Sequence, residues 1–279
     1  MTGGARPAAC HTPRVLECVV NVSEGRDADV LAGLDRAAGP GLLDRHTDPD
    51  HHRSVFTLVG EEGPRGLARA AVAALDLTSH RGAHPRIGVV DVVPFVPLAG
   101  ASLAEALGAR DRFCAWAAAE LGLPSFAYGP ERALPAVRRD AFTALAPTAG
   151  PTAPHPTAGA VAVGARPVLV AYNLWLARPD LEAARDIARQ LRSPAVRALG
   201  LQVGSGVQVS MNLVAPDQVG PAAVWDAVAA RAPIERAELV GLVPEAVLRA
   251  VPRERWAQLD LGADRTIETR LATAGVSPP

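Results

Sequence analysis

The sequence predicts an α+β fold of two βαββαβ units set side by side with a cleft between them. Three observations carry this. The order strand, helix, strand, strand, helix, strand can be read twice along the 279 residues. Hydrophobic residues make up 49% of the chain, enough for one large core or two smaller ones. A stretch rich in Pro, Gly, Ala and Thr, residues 143–159, stands between the two readings and admits neither helix nor strand.

Residues 1–13 are small, polar and proline-containing and read as a disordered leader, so the first unit is expected over 14–164 and the second over 165–279. VLECVVNV (15–22) is β-branched and apolar, a buried strand; SEGRDADVLAGLDRAAG then offers Ser23 as a helix N-cap with acids in the first turn. GLLDRHTD (41–48) and RSVFTLVG (53–60) are strands around the polar turn PDHH, and PRGLARAAVAALDL (64–77) starts on Pro with helical periodicity. RIGVVDVVPFVPL (86–98) is too short for a globular helix and reads as a strand ended by Pro94 and Pro97. A helix over 102–122 and a short strand near SFAYG extend the lobe.

The second pass runs strand 166–176, helix 180–192, strands near VRALGLQV and VQVSMNLV, helix 221–232 and strand AELVGLV. Each unit matches the split-βαβ, ferredoxin-like plan. Two such units leave a cleft between sheets and loops, where small ligands usually sit. The proline-rich stretch is the best loop candidate for ligand contact.

Composition excludes several functions. Net charge is −1 with no basic run, which argues against nucleic acid and acidic membrane surfaces as partners. No apolar stretch reaches about twenty residues and the start lacks a signal-type apolar core, so a cytoplasmic protein is expected. Cys10, Cys18 and Cys114 are too scattered for a disulfide framework and read as reduced thiols. All 28 basic residues are arginine, so there is no Schiff-base lysine and no P-loop lysine. The glycines of TAGAVAVGAR form no dinucleotide fingerprint, because no helix follows them.

Three clusters could carry chemistry. His80 and His84 stand four apart, but Gly82 and Pro85 argue against the helix that would make them paired metal ligands, and no metal is expected. Pro85 and the buried strand behind it would instead hold His84 at a cleft edge, where an imidazole can give or take a proton near neutral pH. DRHTDPDHHR gathers Asp44, His46, Asp48, Asp50, His51, His52 and Arg53 at a strand-turn-strand junction. Those are zinc-type ligands, yet Asp-Pro-Asp is also an ordinary turn former. In NVSEGR, Asn21, Ser23 and the helix N-terminus could donate hydrogen bonds to an anionic or polar ligand. Arg53 and Arg86 are candidates for holding substrate carboxylates.

LECVVNVSEGRD, LLDRHTDPDHHRSVFTLVG, SHRGAHPRIGVVDVVPFVPL, LPAVRR, HPTAGAVAVGARPVLVAYNLWL and ELVGLVP resemble, in the same order, the formiminotransferase domain of glutamate formimidoyltransferases and formiminotransferase-cyclodeaminases. The resemblance spans roughly 15–244. It implies two ferredoxin-like subdomains, a homodimer, and transfer of a formimino group from N-formimino-L-glutamate to N5 of tetrahydrofolate in histidine breakdown, with tetrahydrofolate as co-substrate. The family's active-site histidine falls on His84. Its folate-contacting loop falls on 150–159, with Gly150, Pro151, His155, Pro156, Thr157 and Gly159 as the contacts. A cyclodeaminase domain is not expected in a chain ending at Pro279.

The chain departs from the family at three places. His46 stands where an acid is usual, Ala83 where a glutamate precedes the active histidine, and His52 where Asn precedes the strand arginine. Asp44, or Asp91, is then the carboxylate expected to orient His84, with His46 beside it. Two other readings stay open: a folate-binding relative without turnover, and a metal-dependent hydrolase built on His46, His51, His52, His80 and His84.

Overall fold

A computed structural model describes residues 14–82, 85–98 and 100–276. The expected leader, 1–13, lies outside the described residues.

The first unit opens with β1 (Leu16–Val22), followed by α1 (Ala28–Ala38). The cap of α1 is Asp27, whose side chain accepts from the backbone N–H groups of Asp29 and Val30. Ser23 therefore does not cap the helix. It is buried, and its hydroxyl donates to the Gly88 carbonyl at 2.9 Å. Both residues are good caps by type; what selects Asp27 is that the chain turns once more before the helix starts.

β2 (Leu42–Asp48) and β3 (Arg53–Val59) form a hairpin. Its turn is fixed by Asp48 Oδ1, which accepts from Asp50 N and His51 N, and closes on His52 at φ +49°. That left-handed backbone is one that Asn and His tolerate better than most residues, so a position usually Asn can be filled by His52 without rebuilding the turn.

α2 (Glu62–Ala74) leads to β4 (Val90–Pro97). Pro94 lies inside β4 rather than ending it. It sits in the gap of the β1 ladder between the Cys18–Phe95 and Asn21–Val92 pairs, where its missing N–H costs no bond, and on the other side it pairs in parallel with Gly164. α3 (Leu103–Leu121) carries the capping box of Ser102 and Glu105 and stops at Gly122, φ +59°. β5 (Ser125–Tyr128), α4 (Leu134–Asp140) and β6 (Val161–Ala165) complete the lobe. Sequence reasoning placed neither α4 nor β6. A Cβ on Gly164 in β6 would lie 2.1 Å from the Tyr128 ring, so any larger residue there must displace that buried ring.

The second unit runs β7 (Val170–Leu176), α5 (Leu181–Leu191), β8 (Val196–Val203), β9 (Gly206–Leu213), α6 (Pro221–Ala229) and β10 (Ile234–Val240). α7 (Glu245–Arg249) and α8 (Ile267–Thr273) follow. The second sheet is ordered β10-β7-β9-β8, and the first holds the same pattern, β4-β1-β3-β2, with β6 and β5 added beyond β4. Both units are thus ferredoxin-like, the first enlarged by a parallel edge.

Strand alternation decides which residues reach the cleft. Cys18, Val20 and Val22 of β1, with Phe56 and Leu58 of β3, pack under α1, α2 and α3. Glu17, Val19 and Asn21, with Arg53, Val55 and Thr57, point the other way. In the second sheet Tyr172 and Leu174 join the core, while Ala171 and Asn173 face outward. The two outward faces meet across one cavity. A smaller cluster in which Ile267 and Leu271 of α8 meet Val15 and Leu43 ties the end of the chain to the first sheet. No helix among the described residues is long and apolar enough to cross a membrane.

Candidate active site between the two sheets

The cavity between the sheets has a volume of about 860 Å³. That suits a ligand of drug size or somewhat larger.

On the first sheet its polar centre is Asp91, a fully buried residue of β4. One carboxylate oxygen accepts from Arg53 Nη1 at 2.9 Å and from Arg138 Nη2 at 2.5 Å, and the other accepts from the Ile87 N–H at 2.8 Å. Arg53 also donates through Nε to Asn21 Oδ1 at 3.1 Å. One carboxylate thus holds two guanidinium groups, leaving a net positive charge on this wall, to which Arg166 adds. Nε of Arg138 is buried with no acceptor among the described residues. Arg53 and Asn21 line the cavity. Arg138 was missed; its signal is the basic pair ending LPAVRR, on a helix too short to be read from periodicity.

Asp91 also fixes the backbone just after the expected catalytic histidine. His84 and Ala83 lie outside the described residues. The chain on their C-terminal side is held by the Ile87–Asp91 bond and by Gly88, which lies against the 158–160 backbone so closely that a Cβ would meet the Ala160 carbonyl at 2.0 Å. Val89 N donates to Ala158 O and Ala160 N to Ile87 O. The root of the proline-rich loop is therefore stitched to the histidine-bearing segment. Gly159 bridges Gly88, and His155 Nδ1 accepts from the N–H groups of Thr157 and Ala158. Gly150, Pro151, Pro156 and Thr157 are exposed, and none of these loop residues lines the cavity.

Other expected residues are placed differently. Arg86 turns back into its own loop, donating to the Gly82 carbonyl and to His80 Nδ1, and does not line the cavity. Asp44 does not line it either; its carboxylate lies 3.9 Å from Arg270 of α8, beneath the returning C-terminal helix. Asp91, the other carboxylate considered for His84, is engaged by Arg53 and Arg138. The NVSEGR turn is already filled: Glu24 Oε1 accepts from the N–H groups of Gly25, Arg26 and Asp27. Although burial would raise it, those three bonds and the His52 ring hold the Glu24 carboxyl below its ordinary value. Ser23, bonded to Gly88, donates inward to the fold rather than to the cleft.

The histidines disperse. His51 Nε2 meets Gln208 Nε2 of β9 at 2.9 Å. His52 faces Glu24 and the Arg81 carbonyl and stacks on His80, ring centroids 4.1 Å apart. Burial, then the charges of Arg86 and His52, pull His80 down to about 4, so near neutral pH its Nδ1 is free of a proton and accepts from Arg86. Among the described residues no three His, Cys, Asp or Glu side chains gather as metal ligands would. His46 reaches across the cleft, its Nε2 3.2 Å from Glu238 Oε1 of β10. Where the family usually carries an acid at this position, this chain pairs a histidine with a carboxylate from the opposite sheet.

Two further acids escaped sequence reasoning, Glu17 lining the cavity and Glu238 bonded to residues that line it. Glu17 of β1 is 4% exposed and has no hydrogen bond or ion pair among the described residues; burial pushes its carboxyl up to about 7, with Arg166 opposing and Glu268 adding. Glu238 accepts from Trp175 Nε1 at 2.8 Å and Asn173 Nδ2 at 3.2 Å on Oε2, beside His46 on Oε1. Burial would raise Glu238 too, but those three donors bring it down to about 2.

Fold and cleft define a two-lobed α+β protein of paired ferredoxin-like units, with a cationic wall facing a polar one. The profile of the formiminotransferase domain, N-terminal subdomain, matches residues 15–166. The chain is 37% identical over 232 residues to the glutamate formimidoyltransferase of Streptococcus pyogenes serotype M1, covering 72% of this chain and 78% of that one. It is 34% identical over 282 residues to the glutamate formimidoyltransferase of Thermoplasma acidophilum, covering 84% and 89%. The formimidoyltransferase-cyclodeaminase of Sus scrofa is 35% identical over 273 residues, 83% of this chain and 50% of that protein. The chain belongs to the formiminotransferase domain family. It spans about half the length of the formimidoyltransferase-cyclodeaminases it matches.

Proposed function

We propose that this chain transfers the formimino group of N-formimino-L-glutamate to N5 of tetrahydrofolate, the transfer that begins one-carbon recovery in histidine breakdown. The observation that carries the reading is the agreement of family and cleft: relatives named glutamate formimidoyltransferase match most of the chain, and its 860 Å³ cavity has an arginine-rich wall. Both substrates carry carboxylates. Arg53 and Arg138 both line the cavity, and the buried Nε of Arg138, without an acceptor among the described residues, supplies a donor for an incoming carboxylate. Asn21 holds Arg53 in place.

In this reading the folate nitrogen gives up its proton as it bonds to the formimino carbon, and His84 gives one to the glutamate nitrogen as the old C–N bond breaks. Such help is worth about 10²–10⁴ in rate, the rest coming from holding two substrates together. The largely exposed 150–157 segment, rooted on the 87–89 backbone, is the contact for the folate, with Gly150, Pro151, His155, Pro156 and Thr157 presenting it and Gly159 anchoring it. The subdomains are 14–164 and 165–279, and the working form is a cytoplasmic homodimer.

The test is direct. Purified protein given N-formimino-L-glutamate and tetrahydrofolate is expected to release glutamate, and His84→Ala to lower that release by about 10²–10⁴-fold. Tight folate binding with no glutamate released would replace the reading with a binding relative. Release unaffected by His84→Ala would remove the histidine from the mechanism.

A further inference from the structure

His46 lines the cleft and bonds to Glu238, which comes from the other sheet and lies beside the cavity. Glu238 is anchored before His46 reaches it. Its Oε2 is taken by the N–H of Trp175 and the amide of Asn173, both donors on the neighbouring strand β7, so Oε1 alone is left to face the ring. An ionised carboxylate can only accept, so the ring nitrogen opposite it, Nε2, must carry the hydrogen. The other nitrogen, Nδ1, has no hydrogen bond among the described residues.

We propose that His46 and Glu238 form a catalytic dyad: Glu238 is a positioning residue that fixes His46 as the Nε2–H tautomer, and the Nδ1 lone pair is a base presented to the substrate. The inference rests on the transferase reading and deepens it by dividing the proton work between two imidazoles. As the bond from N5 to the formimino carbon forms, His46 Nδ1 takes the N5 proton. As the bond from that carbon to the glutamate nitrogen breaks, His84 gives its proton to the departing nitrogen. One hydrogen leaves N5 and one reaches glutamate; solvent then takes the proton from His46 and returns one to His84.

The anchoring of Glu238 provides a specific test. In Glu238→Gln the amide is nearly isosteric, but Trp175 and Asn173 both donate to the Oε2 position and so require the amide oxygen there. The amide NH₂ must then face His46, where it needs an acceptor, and the ring hydrogen moves to Nδ1. The base is switched off with the fold intact, by the same logic that disables a histidine whose orienting carboxylate becomes an amide.

Long-range ¹H–¹⁵N spectra of protein labelled in histidine nitrogen, with His46 assigned through His46→Gln, read this out at pH 9, well above the ordinary imidazole range. Wild type is expected to show His46 protonated at Nε2 and Glu238→Gln at Nδ1. The rate constant kcat of the variant is expected to fall about 10²–10⁴-fold, with KM changed less than about threefold. An unchanged tautomer in the variant, or wild-type turnover by it, would overturn the proposal. If wild type shows the Nε2–H ring but releases no glutamate, the dyad stands and the transferase reading fails, so the two failures are told apart.

Discussion

Two glutamates on opposite sheets, Glu17 lining the cleft and Glu238 bonded to His46 and Asn173 that line it, behave in opposite ways. Glu17 on β1 and Glu238 on β10 are both largely removed from water, and in both burial pushes the carboxyl upward. Glu17 meets no donor among the described residues and is carried from its ordinary 4.5 to about 7; Glu238 meets His46, Trp175 and Asn173 and is brought to about 2. Burial by itself thus says little about a buried acid. The number of N–H groups aimed at it sets the sign. The first sheet spends its donors on Asp91 and leaves Glu17 without any, whereas the second sheet builds its polar centre around Glu238.

Asp91 extends the comparison to an acid whose donors are charged, and here the largest effect is expected. Asp91→Asn leaves Arg53 and Arg138 facing each other under cover, and breaking a buried pair in this way costs roughly 3–5 kcal/mol. Urea unfolding should show the midpoint falling with an unchanged slope. A loss below about 1 kcal/mol, the level of an exposed pair, would mean that water already reaches the two arginines.

The two glutamates themselves predict opposite pH limbs. Between pH 4.5 and 7 folded Glu17 keeps a proton that the unfolded chain has released, so stability falls as pH rises through that window, by roughly 3 kcal/mol, and is flat above it. For Glu238 the unfolded chain takes the proton first. Its contribution is complete above pH 4.5 and is lost as pH falls toward 2, about 2 kcal/mol once water in the cleft screens the site. Urea midpoints measured across pH are expected to lose the upper fall in Glu17→Gln and the acid fall in Glu238→Gln. If the two variants share one profile, the contrast between the sheets is wrong.

How much of this could be read in the sequence follows from the range of each interaction. Alternation along LECVVNV and RSVFTLV shows which residues share a face; Asn21 and Arg53 were named for their hydrogen-bonding chemistry, and the alternation puts both on the cavity side. The repeat of the βαββαβ order was legible for the same reason. β6 was not, because VAVGA is short and alanine-rich and becomes a strand through parallel pairing with β4 and β5. The partners that define the site are also long-range: Arg138 reaches Asp91 across 47 residues and Glu238 reaches His46 across 192. Arg86 and Asp44 have chemistry suited to the site, but local geometry turns one into its own loop and α8 meets the other.

Asp27 marks the small end of the scale, an exposed carboxylate whose donors are two backbone N–H groups of α1. Asp27→Ala removes an acceptor without uncovering a charge, so about 1 kcal/mol should be lost, in the usual range for an N-cap. Ser23→Ala provides the control. As a cap it would cost a similar amount and fray the start of α1; as the donor to Gly88 it leaves α1 intact and loosens the segment behind His84 instead. Amide hydrogen exchange separates the two, with faster exchange at Asp29 and Val30 expected only in Asp27→Ala. Protection lost at the start of α1 in Ser23→Ala would return the cap to Ser23 and place the α1 boundary four residues earlier.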